Sequence, residues 1–338
     1  MLRRWQFWLG IIISLAFLYI ALAKLNLGLV WETIRRANYW WIVPGVTVYF
    51  VAVWARTWRW HYMLRSIQAI PLSRLFPVVV IGYMGNNIYP ARAGEIIRAY
   101  VLKKKEGVSI SASLATIVVE RIFDGVTMLF FVFVVLPFVT LDQDLRHVVI
   151  LSSLLFFAAL AIFFIIAISP RRTKMVYDWL IDRFLPERLR GPIKGFADRF
   201  LEGLRSLRRP RDMAMIFITS VFVWLTETVK YWFVMHSFQF VVSFFVLMLM
   251  TAVVNLATTI PSSPGYVGTF DAPGIAILEG FGVPGPLAAG YTLILHAALW
   301  LPITLLGFYY MWRESVTWKD FGIAAASKER ETTGDIFG

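Results

Sequence analysis

Residues 75–98 read LFPVVVIGYMGNNIYPARAGEIIR, and the fold turns on how this stretch meets a membrane. Leu75–Ile88 is an apolar stretch of 14 residues, about 21 Å as a helix. A bilayer's hydrocarbon core is about 30 Å thick. Pro90 should break the helix, because its ring removes a donor and clashes with the preceding turn. Gly94 permits close packing or an unusual backbone angle, and a second arm is expected to start near Ala93. The segment is too short to span, is broken at its end and then resumes. It is therefore predicted to enter the membrane and return as a re-entrant hairpin over about 75–101. A second segment repeats the pattern. Ser243–Thr259 runs into Pro261-Ser262-Ser263-Pro264-Gly265, and the short apolar piece Gly274–Phe281 follows, predicting a hairpin over about 243–282.

Charge decides between hairpins and full spans. Segment 169–211 carries 12 Lys and Arg against 5 Asp and Glu, and an excess of Lys and Arg marks cytoplasmic loops. The predicted spans are Trp5–Ala23, Tyr39–Ala55 (reaching about Trp60), Ser111–Leu136, Val148–Ile168, Met213–His236 and Leu287–Trp312. With the N-terminus inside and both odd segments as hairpins, segment 56–74 (Arg56, Arg59, Arg65, Arg74), the Lys103-Lys104-Lys105 run and segment 169–211 all fall inside. The acidic loop Asp142–His147 then falls outside. Counting 75–89 as a full span would force segment 169–211 outside. Lys24–Asn38, net +2, falls outside against the rule. Ala21-Leu22-Ala23 resembles a signal-peptidase site, but the apolar core before it is long for a signal peptide, favouring a retained anchor.

The predicted fold is therefore an all-α polytopic membrane protein with about six transmembrane helices and two re-entrant helical hairpins. The hairpins enter from opposite faces and each is followed by a full span, the layout of an inverted repeat. The expected division is a single transmembrane domain, 1–312, and a polar cytoplasmic tail, 313–338. The domain comprises a first half of about 1–168, an amphipathic cytoplasmic linker 169–211 and a second half 212–312. In the linker, Ile193, Phe196, Ala197, Phe200, Leu201, Leu204 and Leu207 form one helical stripe, with Lys194, Arg199, Arg205 and Arg208 opposite. This face is expected to lie on the inner leaflet.

Composition agrees. Of 338 residues, 59% are hydrophobic and 16% charged, with a mean hydropathy of +0.67. A soluble domain carries about 25% charge. Soluble enzymes, disordered chains and disulfide scaffolds are excluded, and the absence of cysteine removes thiolate metal sites and cysteine nucleophiles. The formal charge of +12 suits cytoplasmic loops beside anionic headgroups and is not taken as nucleic-acid binding.

Ionisable residues at membrane depth are costly and mark candidate sites. Three groups stand out. The first is Asn87-Ile88-Tyr89-Pro90-Ala91-Arg92-Ala93-Gly94-Glu95-Ile96-Ile97-Arg98. Free N–H groups at the start of the second arm, with Arg92 and Arg98, make an anion site in kind. Glu95 could instead pair with an arginine to hold the hairpin, and Arg98 could simply reach the interface. The second is Glu120-Arg121-Ile122-Phe123-Asp124, inside a span. Glu120 and Asp124 share a face and Arg121 reaches Asp124. The local sum of −1 calls for an outside cation, with Arg92 or Arg98 as the candidate. A structural ion-pair network and substrate contact both fit. The third is Asn255 and the turn Pro261, Pro264, Gly265, Gly268, followed by Asp271, read either as an N-cap or as a functional group. Glu227 and Lys230 read as a structural pair, and His296 as a packed or hydrogen-bonded residue rather than a proton relay. No HExxH, GxGxxG, P-loop or GxSxG motif is present, so no catalytic residue, cofactor or metal is expected.

Three ordered motifs resemble the lysylphosphatidylglycerol synthase transmembrane-region family, also called the flippase-like domain family. They are Asn87-x-x-Pro90-Ala91-Arg92-x-Gly94-Glu95-x-x-Arg98, then Glu120-Arg121-x-x-Asp124, then Pro261-x-x-Pro264-Gly265-x-x-Gly268. The resemblance covers about 1–312. It implies lipid translocation across a bacterial or archaeal membrane. Fused members flip an aminoacylated lipid made by a soluble synthase domain, and some relatives are joined to glycosyltransferases that use polyprenyl carriers. No synthase domain follows the last predicted span, so this chain is not expected to make an aminoacyl lipid. Tyr89 stands where the family often has Leu, Tyr266 where Gly is frequent, and Asp271 where Glu is common.

The expectation is a lipid flippase of the inner (cytoplasmic) cell membrane, with both termini cytoplasmic. An anionic headgroup (phospholipid, aminoacyl lipid, glycolipid or polyprenyl phosphate) would sit between the hairpins. Arg92, Arg98, Asn87, Glu95, Glu120, Arg121, Asp124 and Asp271 would form the site, with Pro90, Gly94, Pro261, Pro264, Gly265 and Gly268 shaping the hairpins. Two rivals remain: a scaffold for a separate lipid-modifying synthase or glycosyltransferase, and an intramembrane headgroup transferase or hydrolase. A homo-oligomer is compatible with either.

Overall fold

The computed structural model describes residues 5–23, 25–90, 92–138, 154, 157–158, 160–163, 165, 169–204, 207, 209–260 and 263–317. Every regular element among them is helical: α1 (Trp5–Leu22), α2 (Leu27–Arg35), α3 (Ile42–Leu64), α4 (Leu72–Ile88), α5 (Ala93–Glu106), α6 (Ile110–Val135), α7 (Pro170–Phe184), α8 (Glu187–Gly203), α9 (Pro210–Met235), α10 (Phe244–Ala257), α11 (Asp271–Gly280) and α12 (Gly285–Arg313), with short 3-10 turns. Local chemistry sets their ends. Asn26, Ser109 and Ser243 cap α2, α6 and α10 by accepting backbone N–H bonds. Gly107 closes α5 in the left-handed conformation.

Both odd segments form pairs of short helices. The first arm ends at Ile88 and the second begins at Ala93, as Pro90 requires. At 17 and 14 residues, α4 and α5 are about 26 and 21 Å long, short of a bilayer core. Glycine brings them together: a Cβ on Gly85 would lie 2.8 Å from the Gly94 Cα, and one on Gly82 would lie 3.0 Å from the Arg98 Cβ. The partners of α4 run backwards along α5, so the pair is antiparallel. In the second pair, α10 and α11 pack across Met250 and Gly274 and close over Val254, Ile275 and Leu278.

Two long helices form the spine. α3 and α9 lie antiparallel along their whole length, with Gly45 against Val234, Arg56 on Glu227, Arg59 on Ser220 and Arg65 on Asp212. The hairpins cross over this spine. α4 packs on α12, where Met84 fills the notch at Gly307 and Asn87 meets Thr304. α10 packs on α6, with Met248, Leu249 and Ala252 among Met128, Phe131 and Val132. Each first arm thus rests on the long helix that follows the other hairpin.

Among the described residues, α9 and α12 are long and apolar enough to cross a membrane, and α1 with α2 makes a third if this pair, bent by 87°, is one span. α3 and α6 have 23 and 26 residues, about 35 and 39 Å. They are long enough too, but carry buried charge. α1 packs into the second hairpin, where the Ser263 N–H donates to the Ser14 hydroxyl at 2.9 Å.

Two expectations are corrected. Arg56 and Arg59, assigned by sequence to a cytoplasmic segment 56–74, are buried within α3, because both guanidinium groups find carboxylates there. The linker is two helices broken at Leu185-Pro186. The C-terminal end of the stripe is covered by protein: Leu201, Leu204 and Leu207 are buried in the core beside α6, with Gly203 against Ala112 and Ala115, whereas Ile193, Phe196, Ala197 and Phe200 are half-buried. It is α7 that exposes an apolar face, through Met175, Val176, Trp179 and Phe184. The acidic loop 142–147, most of the Val148–Ile168 span, Pro261, Arg205, Arg208 and the tail beyond Thr317 lie outside the described residues.

Candidate functional site

The tips of the two hairpins touch. Asn87 donates to the Thr304 hydroxyl at 2.8 Å and to the Trp300 carbonyl at 3.2 Å, and the Trp300 indole N–H donates back to the Asn87 carbonyl at 3.4 Å. A Cβ on Gly265 would stand 3.6 Å from that same carbonyl. The Arg92 guanidinium lies 5.8 Å from the centroid of the Tyr266 ring, within cation–π range. Arg92 (φ 54°) and Tyr266 (φ 61°) both have left-handed backbones, a conformation that side chains other than Gly rarely adopt. Such strain collects at functional sites. Tyr266, the departure from the resembled motif, thus takes the backbone a Gly would take and adds a ring for Arg92.

Beside this junction lies a cavity of about 150 Å³. Arg56, Asn87, Arg92, Arg121, Glu227 and His296 are on its wall. Three of the eight residues singled out from sequence therefore face it: Asn87, Arg92 and Arg121. The others stand behind. Arg98 is buried, donates to Glu120 at 2.7 Å and stacks on the Trp60 ring at 4.4 Å. Glu120 also takes Arg59 at 3.2 Å and Arg121 at 2.5 Å. Asp124 takes Arg59 at 2.6 Å, Arg121 at 3.2 Å and the Trp224 indole N–H at 2.8 Å. Glu95 lies 3.5 Å from Arg121 and 3.8 Å from Arg92.

This network answers the charge expected from sequence. The outside cations at the Glu120–Asp124 cluster are Arg98 and Arg59, and Arg59 was not singled out. Four guanidinium groups (Arg59, Arg92, Arg98, Arg121) face three carboxylates (Glu95, Glu120, Asp124), leaving one positive charge in excess. On the far wall, Glu227 is shared by Arg56 at 3.0 Å and by Lys230, leaving a second. Arg59 and Arg98 are sealed in, whereas the Arg92 and Arg121 side chains are 21% and 27% exposed. These two can reach a ligand. The signal for Arg56 and Arg59 was present in Trp54-Ala55-Arg56-Thr57-Trp58-Arg59-Trp60, where tryptophan brackets each arginine on a continuing helix.

Asp271 opens α11. It is the first helical residue rather than the cap, which is Phe270. Its side chain accepts the Gly268 N–H of the preceding turn at 2.8 Å and meets His296 Nδ1 at 2.8 Å, so it braces the turn and pairs. Gly265 (φ 69°) and Gly268 (φ 80°) take positive backbone angles, and Gly268 packs on α1 at Phe17 and Leu18.

A helical membrane protein with an arginine-lined cavity between paired hairpins is the class this architecture defines. The chain belongs to the family described as the lysylphosphatidylglycerol synthase TM region, which matches residues 7–307. The UPF0104 membrane protein MJ1595 of Methanocaldococcus jannaschii is 24% identical over 313 residues, 89% of this chain and 93% of that protein. A UPF0104 membrane protein of Methanothermobacter thermautotrophicus is 27% identical over 296 residues, 81% of this chain and 84% of that protein. Glycosyltransferase AglD of Haloferax volcanii is 24% identical over 296 residues, 79% of this chain but 47% of that protein. No solved structure matches the chain.

Proposed function

We propose that this protein moves a lipid with an anionic headgroup across the cell membrane, without covalent change to the lipid, and that the headgroup binds in the cavity between the hairpin tips. The carrying observation is that Arg92, Arg121 and Arg56 converge on one cavity backed by a network with surplus positive charge. Guanidinium groups match phosphate oxygens in geometry and stay charged in a low-dielectric setting. Asn87 adds a polar group at the tip junction, and Arg98, Glu120, Asp124 and Glu95 hold Arg121 and Arg92 in place. Acyl or prenyl chains would remain in lipid.

The same reading takes the fold as six spans and two re-entrant hairpins in an inverted repeat, with both termini cytoplasmic and α7 on the inner leaflet. The reciprocal packing of α4 on α12 and α10 on α6, about the antiparallel pair α3 and α9, supports it. Irregular backbone at membrane depth survives only where protein or a watery cavity satisfies it, and both tips have such a setting. Exposure of the headgroup to the second leaflet would follow from rocking of one half against the other.

One observation favours a second reading. A relative named a glycosyltransferase extends well beyond the shared region, so this chain could serve a separate glycosyltransferase or synthase as its membrane partner. Reconstitution separates the two. Wild type and Arg92→Ala are placed in vesicles with headgroup-labelled phosphatidylglycerol or polyprenyl phosphate. Transport by wild type alone supports the first reading. Equal transport by both removes the site assignment, and none by wild type together with co-purification of an enzyme moves the weight to the second.

A further inference from the structure

His296 lines the cavity with both ring nitrogens facing acceptors. Nδ1 is 2.8 Å from Asp271 Oδ1 and Nε2 is 2.7 Å from the Gly265 carbonyl. A carbonyl only accepts, so Nε2 carries a proton. Between Nδ1 and the carboxylate there must be another. The pair therefore holds one proton more than a neutral imidazole beside an aspartate, whether as imidazolium and carboxylate or as imidazole and carboxylic acid. The ring lies against Phe270 in a tilted arrangement, 4.5 Å between centroids, and the Asp271 side chain is 1% exposed.

We propose that the His296–Asp271 pair is a proton-binding site whose occupancy sets the position of the second hairpin tip, and that transport is thereby linked to protons. The inference rests on the transport reading for its second clause only. When the pair loses its extra proton to cavity water, one N–H remains on the ring. Asp271, now a carboxylate, retains it at Nδ1 as the stronger acceptor. Nε2 then presents a lone pair to the Gly265 carbonyl, and attraction becomes repulsion. Gly265 sits at the junction with Asn87 and Trp300, so its release loosens the contact between the tips. The other charged groups on this cavity wall are Arg56 of α3, Arg92 of the first tip, Arg121 of α6 and Glu227 of α9, with the phenols Tyr49, Tyr83, Tyr231 and Tyr266. The arginines keep their protons and Glu227 is held by Arg56 and Lys230. The phenols ordinarily titrate near pH 10. His296 is the group on this wall whose ordinary range lies between about pH 5 and 8.

The native chain has no cysteine, so spin labels can be placed on Val267→Cys at the tip and Leu305→Cys on α12, both exposed. The distance distribution between them is measured from about pH 5 to about pH 9 in three backgrounds: native, His296→Gln and Asp271→Asn. The expected result is a pH-driven shift in the native background that disappears in His296→Gln. A pH-independent distribution in the native background overturns the proposal, and so does an unchanged pH response in His296→Gln. Where His296→Gln fails to elute as a folded species, Asp271→Asn decides by the same two criteria.

The transport arm uses vesicles with labelled phosphatidylglycerol and a clamped potential. One proton per lipid allows up to about tenfold lipid asymmetry per unit of pH gradient. Transport that ignores the gradient overturns the coupling. If no lipid moves, the transport reading falls, while the label distances still decide the proton site.

Discussion

Replacing Arg92 by Gly and, separately, by Ala divides its backbone role from its charge. Arg92 holds φ 54° and ψ 33° at the start of α5, and a side chain in that conformation costs about 1–2 kcal/mol. The guanidinium's own interactions are weak. Its ion pair with Glu95 spans 3.8 Å between side chains more than a fifth exposed, worth well under about 1 kcal/mol. The approach to Tyr266 adds about 0.5–1 kcal/mol. Gly would recover the strain, forfeit those interactions and give up about 0.4–1 kcal/mol through a more flexible unfolded chain. The net is close to zero. Ala forfeits the same interactions and keeps the strain, so it should be the less stable by about 1 kcal/mol, about fivefold in the unfolding equilibrium. Both should abolish headgroup transport in vesicles, because neither carries a charge. Stability is read from tryptophan fluorescence on heating in detergent. Two results would refute the reasoning: Ala more stable than Gly, or either variant moving lipid at the wild-type rate.

Three further outcomes are expected. Gly94→Ala would set a Cβ 2.5 Å from the Asn86 backbone nitrogen and 2.6 Å from its Oδ1. The first hairpin should open at a cost of about 1–3 kcal/mol, seen as earlier thermal unfolding, and an unchanged midpoint would contradict the packing. Arg59→Met leaves Glu120 and Asp124 short of one buried cation and should cost about 3–5 kcal/mol. Recovery of folded protein in detergent reports it, and wild-type yield and midpoint would show that Arg98 and Arg121 suffice. On the linker, hydrogen bonds from Lys174 and then Tyr177 hold the Asp198 carboxyl below the usual carboxylate range. A depressed carboxylate contributes stability above its unfolded value and loses it as pH falls through the folded one. Hydrogen exchange across α7 and α8 should therefore rise below about pH 4. Asp198→Asn should show the raised exchange at every pH, and an unchanged profile would remove the pairing from the account.

The hairpins were legible in the sequence because their signals are local. Pro90 ends one helix whatever surrounds it, Gly94 offers a surface without a Cβ, and a 14-residue apolar arm is short on any reading. The acidic cluster at Glu120 and Asp124 was legible as a charge imbalance, which pointed to missing cations. Its partner Arg59 was not, because hydropathy treats an arginine at a span's end as the end of that span. The tryptophans around it point to a continuing helix, but what buries that stretch is α9, arriving from over 150 residues later with Ser220 and Glu227. The linker stripe failed for a related reason. An apolar helical face looks the same whether lipid or protein covers it, and here protein covers its last residues, Leu201, Leu204 and Leu207.

The two hairpins share a framework and differ where they meet. Each hairpin packs its first arm on the long helix that follows the other hairpin, and each tip carries a non-glycine residue with a left-handed backbone. The chemistry at the tips is unlike. The first presents Arg92, a fixed charge on a weak tether. The second presents no fixed cation but a carbonyl, at Gly265, gripped by a histidine that can lose its hold. A symmetric pair of arginine tips would bind an anion equally in every state and could not bias one state over another, since a ligand with equal affinity for two states shifts neither. On the proposed reading, joining a constant charge to a group that titrates would give the headgroup two environments of different affinity within one cavity. Directional movement of an anionic lipid requires that difference.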